Sequence, residues 1–127
     1  MPELTFSIKG VIPSKKNSKQ IFARRGKRAV VIPSKKHQNW HEIAGIEAKA
    51  KRIKPKAPIP RTKQVFIYFC LPDQRRRDLD NMATTLLDWM VDFGILAGDS
   101  WQIIPELHLA SAGVDKANPH VDVKIVF

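Results

Sequence analysis

Acidic residues are scarce in the first half of the chain, cysteine is almost absent, and no hydrophobic run is long. Each of these absences excludes something. The single cysteine, Cys70, rules out an internal disulfide. It lies in the apolar run "VFIYFCLP", where a buried inert thiol is expected rather than a nucleophile. No apolar stretch approaches the ~20 residues of a membrane helix. The start, "MPELTFSIKG", has no charged lead, apolar centre or small-residue cleavage site, so a secretory signal is not expected. A reducing, intracellular location follows as the expectation. Residues 1–63 hold 17 Lys/Arg against 3 Asp/Glu, a net +14, and residues 64–127 hold 5 against 9, a net −4, which together give the chain its +10. A basic half points to a polyanion partner, most often nucleic acid. A protein that only binds such a partner would leave the acidic half unexplained.

A chain of 127 residues, 43% hydrophobic, suits one domain spanning residues 1–127 with one core. "LTFSIKGVI" alternates Leu4, Phe6 and Ile8 with polar positions, predicting a half-buried strand over 4–12. The basic stretch 13–32 predicts a hairpin with strands near 20–23 and 29–32, turning at Arg25–Lys27 where Gly26 is permissive. Ser34 is a candidate cap for a helix to about Ile53, with Trp40, Ile43, Ala44, Glu47 and Ala50 at helical spacing. Pro55, Pro58 and Pro60 end it and predict a linker or edge segment. The run 63–72 predicts a central strand buried on both faces. A second helix from Asp80 to Phe93 carries the stripe Leu79, Met82, Ala83, Leu86, Leu87 and Met90, and Gly94 stops it. "IIPELHLAS" and "HVDVKIVF" predict two closing strands; His108 and His120 fall in them without partners in sequence. The fold class is α+β: a mixed β-sheet with two main helices in the order β-β-β-α-β-α-β-β.

The chemistry concentrates in residues 73–100. "RRRDLDN" sits between the end of a strand and the start of a helix, where functional loops gather. In extended backbone Asp78 and Asp80 would point to one side. Two carboxylates with little else suit a hard cation such as Mg²⁺, which keeps waters and takes one or two carboxylates plus phosphate oxygens. Arg75, Arg76 and Arg77 would offer forked donors to phosphates. The plainer reading makes Asp80 a helix cap and Asp78 an arginine partner. Asp99, after Gly98, is either a turn residue or a third ligand. Lys15, Lys16, Lys19, Arg24, Arg25, Lys27 and Arg28, with no acid among them, are the main phosphate-binding candidates. His37 and His41 are spaced i, i+4 but lack the glutamate of a zinc motif; a solvated or phosphate-facing pair is expected. Trp40 and Trp89 belong to the core or an interface. Trp101 has a claim on DNA or a partner chain, though core is the heavier expectation.

"RRRDLDN", the following "LLDWM", the Gly94 stop, the spacing to Asp99 and the "VIPSKKN" turn together resemble the RusA-type Holliday junction resolvases of bacteria and phages. The resemblance implies a cytoplasmic, nucleoid-associated, homodimeric endonuclease that cuts four-way DNA junctions with Mg²⁺, or Mn²⁺ in its place. It makes Asp78, Asp80 and Asp99 the essential metal-holding acids, Arg77 the basic residue before them, and Asn17 part of the DNA-contacting turn. Two positions depart from the family: Thr84 stands where a lysine is usual, and Gly98-Asp99 where paired acids are. The second helix spans roughly 20 Å, and residues 95–99 reach at most about 17 Å. Asp99 therefore sits at the wrong end for its own Asp80. Two such helices, antiparallel about a two-fold axis in an intertwined dimer, would let subunits share each site. Asp88, ~12 Å along the helix from Asp80, lies too far to bind the same ion; it is either a solvated charge or, as the resemblance favours, an acid acting from beside the partner's loop. The alternative class is a non-catalytic basic nucleic-acid-binding protein.

Overall fold

The computed structural model describes residues 2–13, 19–22, 30–33 and 35–127, with side chains over 2–13 and 38–127. The elements run β1 (Glu3–Lys9), β2 (Lys19–Phe22), β3 (Val30–Pro33), α1 (Lys35–Ala50), β4 (Gln64–Leu71), α2 (Leu79–Phe93), β5 (Leu107–Val114) and β6 (His120–Val126). This is the expected α+β order. Four strands form one mixed sheet, β1-β6-β4-β5, and β2 pairs with β3 alone. β1 and β4 flank β6 antiparallel, while β5 runs parallel to β4. A parallel neighbour needs a crossover, and α2 supplies it.

One face of the sheet meets the helices. Phe6 and Ile8 from β1, Val65, Ile67 and Phe69 from β4, and Val121, Val123 and Ile125 from β6 are buried there. β4 is interior in the sheet, as expected, but only one of its faces is covered. Phe66 and Cys70 are half-buried and Tyr68 is 40% exposed. Near-continuous apolarity arises because aromatic side chains suit a strand's open face as well as its closed one. β1 ends at Lys9 rather than 12, because Gly10 turns at φ 96 and donates its N–H to the Pro119 carbonyl. β5 starts at Leu107, since Ile103 and Ile104 are turned back onto the Ser100 carbonyl.

α2 buries Met82, Ala83, Thr85, Leu86, Leu87, Trp89 and Met90. Its end follows the sequence: Gly94 adopts φ 96 and bonds back to the Met90 and Val91 carbonyls. Trp89 joins Phe6, Trp40 and Phe93, with ring centroids 6.4, 6.0 and 5.2 Å away. α1 packs through Trp40, Ala44 and Ala48, whereas Ile43 is 60% exposed. At about 100° per residue the i, i+4, i+8 stripe leaves Ile43 and Ala50 off to one side. α1 stops at Ala50, and Arg52 takes a positive φ of 54. The proline segment is no loose linker. Ile59 is buried and forms a parallel bridge to Leu96, holding the chain that leaves α2.

Candidate active site

The loop from β4 to α2 is organised by an acid the sequence reading passed over, Asp73. Its Oδ1 accepts the Arg75 backbone N–H at 3.0 Å. The Arg77 guanidinium donates to both carboxylate oxygens, at 2.6 and 3.4 Å. The Arg77 hydrogen bond, then the Arg75 N–H, hold the Asp73 carboxyl down at about 2. A depressed carboxylate stabilises the loop above its unfolded pKa of about 3.9. That contribution disappears only as pH falls toward 2. Asp73, not Asp78, is thus the arginine's partner. The signal was present in sequence: an aspartate after proline favours an Asx turn, and Asp73 and Arg77 are four residues apart. Arg75 and Arg76 are exposed.

Asp78 occupies the cap position of α2, with φ −93 and ψ 117, but makes no side-chain cap bond. Its Oδ2 accepts instead from the Asn81 amide at 3.3 Å. Asp80 lies inside the first helical turn. The helix begins one residue earlier than expected because Leu79 packs against the core. Asp80 is therefore not the cap, and the period-two alignment of an extended pair does not apply to it. Both carboxylates are exposed, and neither is used up in capping. That donor set fits a hard cation. Thr84, one turn on, is exposed and donates its hydroxyl to the Asp80 carbonyl at 2.9 Å.

Asp99 belongs to the opposite end of the sheet. After Gly94 the chain runs along Ile59, then turns at 98–104. Gly98 leaves room there for the Ile103 side chain, whose Cδ1 would lie 2.6 Å from an added Cβ and would have to shift. Thr62 fastens the turn by donating its N–H and hydroxyl to the Ile103 carbonyl, at 2.8 and 2.9 Å. Val65 N–H bonds the Glu106 carbonyl at 3.0 Å. These contacts fix the Asp99 turn at the amino end of β4, whereas Asp78 and Asp80 follow its carboxyl end. Seven strand steps between those ends amount to roughly 23 Å. Among the described residues no three His, Cys, Asp or Glu side chains are grouped so as to hold a metal ion. One chain does not bring Asp78, Asp80 and Asp99 together. Asp88 is half-buried on α2. Trp101, in the Asp99 turn, is 75% exposed rather than part of the core.

Lys15, Lys16, Asn17, Arg24, Arg25, Lys27, Arg28 and Ser34 lie outside the described residues, and so does the predicted turn. Lys19 is placed on β2 through its backbone, and the β2–β3 pairing matches the predicted hairpin. Of the histidines, His41 Nε2 approaches Asp92 at 3.7 Å. His108 stacks on Phe66 at 4.6 Å and nears Glu106, and His120 nears Asp122 at 3.3 Å. Both strand histidines thus have partners that sequence order hid. No helix among the described residues is long and apolar enough to cross a membrane.

The fold and site define a small α+β domain whose acid pair and arginine cluster occupy a strand-to-helix loop. A family model, endodeoxyribonuclease RusA, matches residues 11–126. The chain belongs to the RusA endodeoxyribonuclease family. Membership indicates an enzyme that cuts DNA and implies Holliday junction resolution. No curated protein matches the chain.

Proposed function

We propose that this protein is a Mg²⁺-dependent, homodimeric Holliday junction resolvase serving DNA recombination and repair, with each catalytic site shared between subunits. The observation that carries the reading is the placement of Asp78 and Asp80 at one end of β4 and Asp99 at the other, in a chain whose family cuts DNA. Asp78 and Asp80 of one subunit and Asp99 of the other would hold the ion. Mg²⁺, or Mn²⁺, supplies polarisation of the phosphodiester and a water acidified enough to attack it. Arg75 and Arg76 lie beside the acids to bind flanking phosphates, and Arg77, held by Asp73, keeps the loop in shape. Thr84 brings no positive charge, so the arginines take the part that a lysine usually has in the family. The basic hairpin residues would grip junction arms through phosphates, so recognition follows shape and weakens steeply with salt. A four-way junction has two-fold symmetry, which a symmetric dimer matches.

The partner does not need α2 for contact. That helix already buries its apolar side within the chain. The side left over carries exposed Asp80, Thr84 and Asp92 with half-buried Asp88. Two such faces set against each other would oppose like charges.

The direct test incubates the protein with a synthetic four-way junction and a matched linear duplex, with and without Mg²⁺. Symmetric nicks in the junction alone, only with Mg²⁺, are expected. Equal cutting of the linear duplex would make it a general nuclease, and no cutting of either would overturn the reading.

A further inference from the structure

We infer that Asp73 is a positioning residue for the metal site: by holding the Arg77 guanidinium to itself, it keeps that cation off Asp78 and Asp80 and leaves both carboxylates free for a divalent ion. The inference rests on the reading of Asp78 and Asp80 as metal ligands, and goes beyond it to name what sets their affinity.

Three acids lie close to Arg77 along the chain: Asp73 four residues before it, Asp78 directly after it and Asp80 three after it. Consecutive Cα atoms stand ~3.8 Å apart, so a long guanidinium side chain can reach the acids on either side. The loop gives Arg77 to Asp73. Nη1 donates to Asp73 Oδ1 at 2.6 Å and Nη2 to Oδ2 at 3.4 Å, a forked grip that takes both carboxylate oxygens. The Arg77 side chain is 19% exposed, so the guanidinium is packed into the loop rather than free to swing. The Arg75 N–H, at 3.0 Å from Oδ1, closes the turn that sets Asp73 in this place.

The consequence is seen on the two acids that follow. Among the described residues neither Asp78 nor Asp80 forms an ion pair, and the Asp78 carboxylate accepts only the neutral Asn81 amide, at 3.3 Å. Free carboxylates directly after three arginines need such an explanation. An arginine within ~4–6 Å of a carboxyl lowers its affinity for a proton by roughly 10- to 1000-fold. A metal ion meets the same competition, because it must displace the arginine or share the acid with a like charge. Asp73 draws that competition onto a carboxylate that holds no ion. Arg75 and Arg76 stay exposed, available to phosphates.

Mn²⁺ binding to the full chain without DNA, read from the electron paramagnetic resonance of the unbound ion, tests this. Asp73→Asn keeps the side-chain oxygen that closes the turn and removes the charge that holds Arg77. It should weaken Mn²⁺ binding about tenfold or more. D73N/R77Q removes the released cation as well, and should return binding close to the parent's. D73N/R76Q has the same net charge as D73N/R77Q but leaves Arg77 loose, and should stay as weak as D73N. A D73N chain that binds Mn²⁺ as the parent does would overturn the inference and leave the metal-site reading standing. Failure of D73N/R77Q to recover would show that Asp73 acts only through the shape of the loop, and equal recovery in D73N/R76Q would show that only net charge counts; either result overturns the inference. Loss of fold from Asp73→Asn would give the first of these two. A parent that binds no Mn²⁺ would overturn the metal-site reading, and the inference with it.

Discussion

Asp80→Asn is expected to lower Mg²⁺-dependent junction nicking by about 10³-fold or more. The size follows from what an ion supplies to the reaction: several kcal/mol of charge stabilisation, at 1.36 kcal/mol per tenfold. Asp80 is exposed and makes no cap bond, so the substitution leaves α2 and the core intact. Its carboxylate touches no described arginine, so phosphate binding should scarcely change. Nicking assays and a gel-shift titration on the same junction separate the two effects. Nicking that survives Asp80→Asn would remove Asp80 from the metal site. A fall in affinity matching the fall in rate would make it a binding residue instead.

Trp89→Ala is expected to cost about 3–5 kcal/mol of stability, read from denaturant unfolding. Trp89 is 1% exposed and sits among Phe6, Trp40 and Phe93, where α1, α2 and β1 meet. Truncation leaves a large cavity that three elements cannot close together. For a domain of this size the loss corresponds to a fall in melting temperature on the order of 10–18 °C. It also takes a large share of a total typically near 5–15 kcal/mol. Trp89 lies more than two turns from Asp80, so nicking per folded molecule should hold below the new melting point. A loss under about 1 kcal/mol, a size ordinary for surface changes, would show that the aromatic cluster is not the centre of the core.

The stretches that sequence resolved best were those with one dominant local cause. α2 was legible through Met82, Ala83, Leu86, Leu87 and Met90 and through Gly94, whose left-handed φ of 96 few other residues accept. The pairing of β2 with β3 was legible from two short strands on either side of a turn-forming stretch. What failed depended on tertiary context. The apolar run of β4 could not say that Phe66 and Tyr68 face an open side. Ile43 and Ala50 fitted a helical stripe, yet Trp40, Ala44 and Ala48 occupy the contact. The geometric conflict between Asp80 and Asp99 was visible from helix length alone. Where the Asp99 turn lies in the fold was not, because it depends on β5 running parallel to β4, which no local pattern encodes. The role of Asp73 rests on a loop conformation that brings Arg77 back onto it, although the four-residue spacing of the pair is present in the sequence.

The shared site is tested most directly by mixing two dead subunits. Chains carrying Asp80→Asn and Asp99→Asn, each inactive alone, are given different tags, co-expressed, and purified through both tags. In the mixed dimer one site contains both substitutions and the other contains neither. A shared site therefore predicts that Mg²⁺-dependent nicking returns, at about half the parent's number of working sites. Mixed dimers as inactive as either variant alone would mean that each chain builds its own site, and would contradict the sharing of Asp78 and Asp80 with a partner's Asp99.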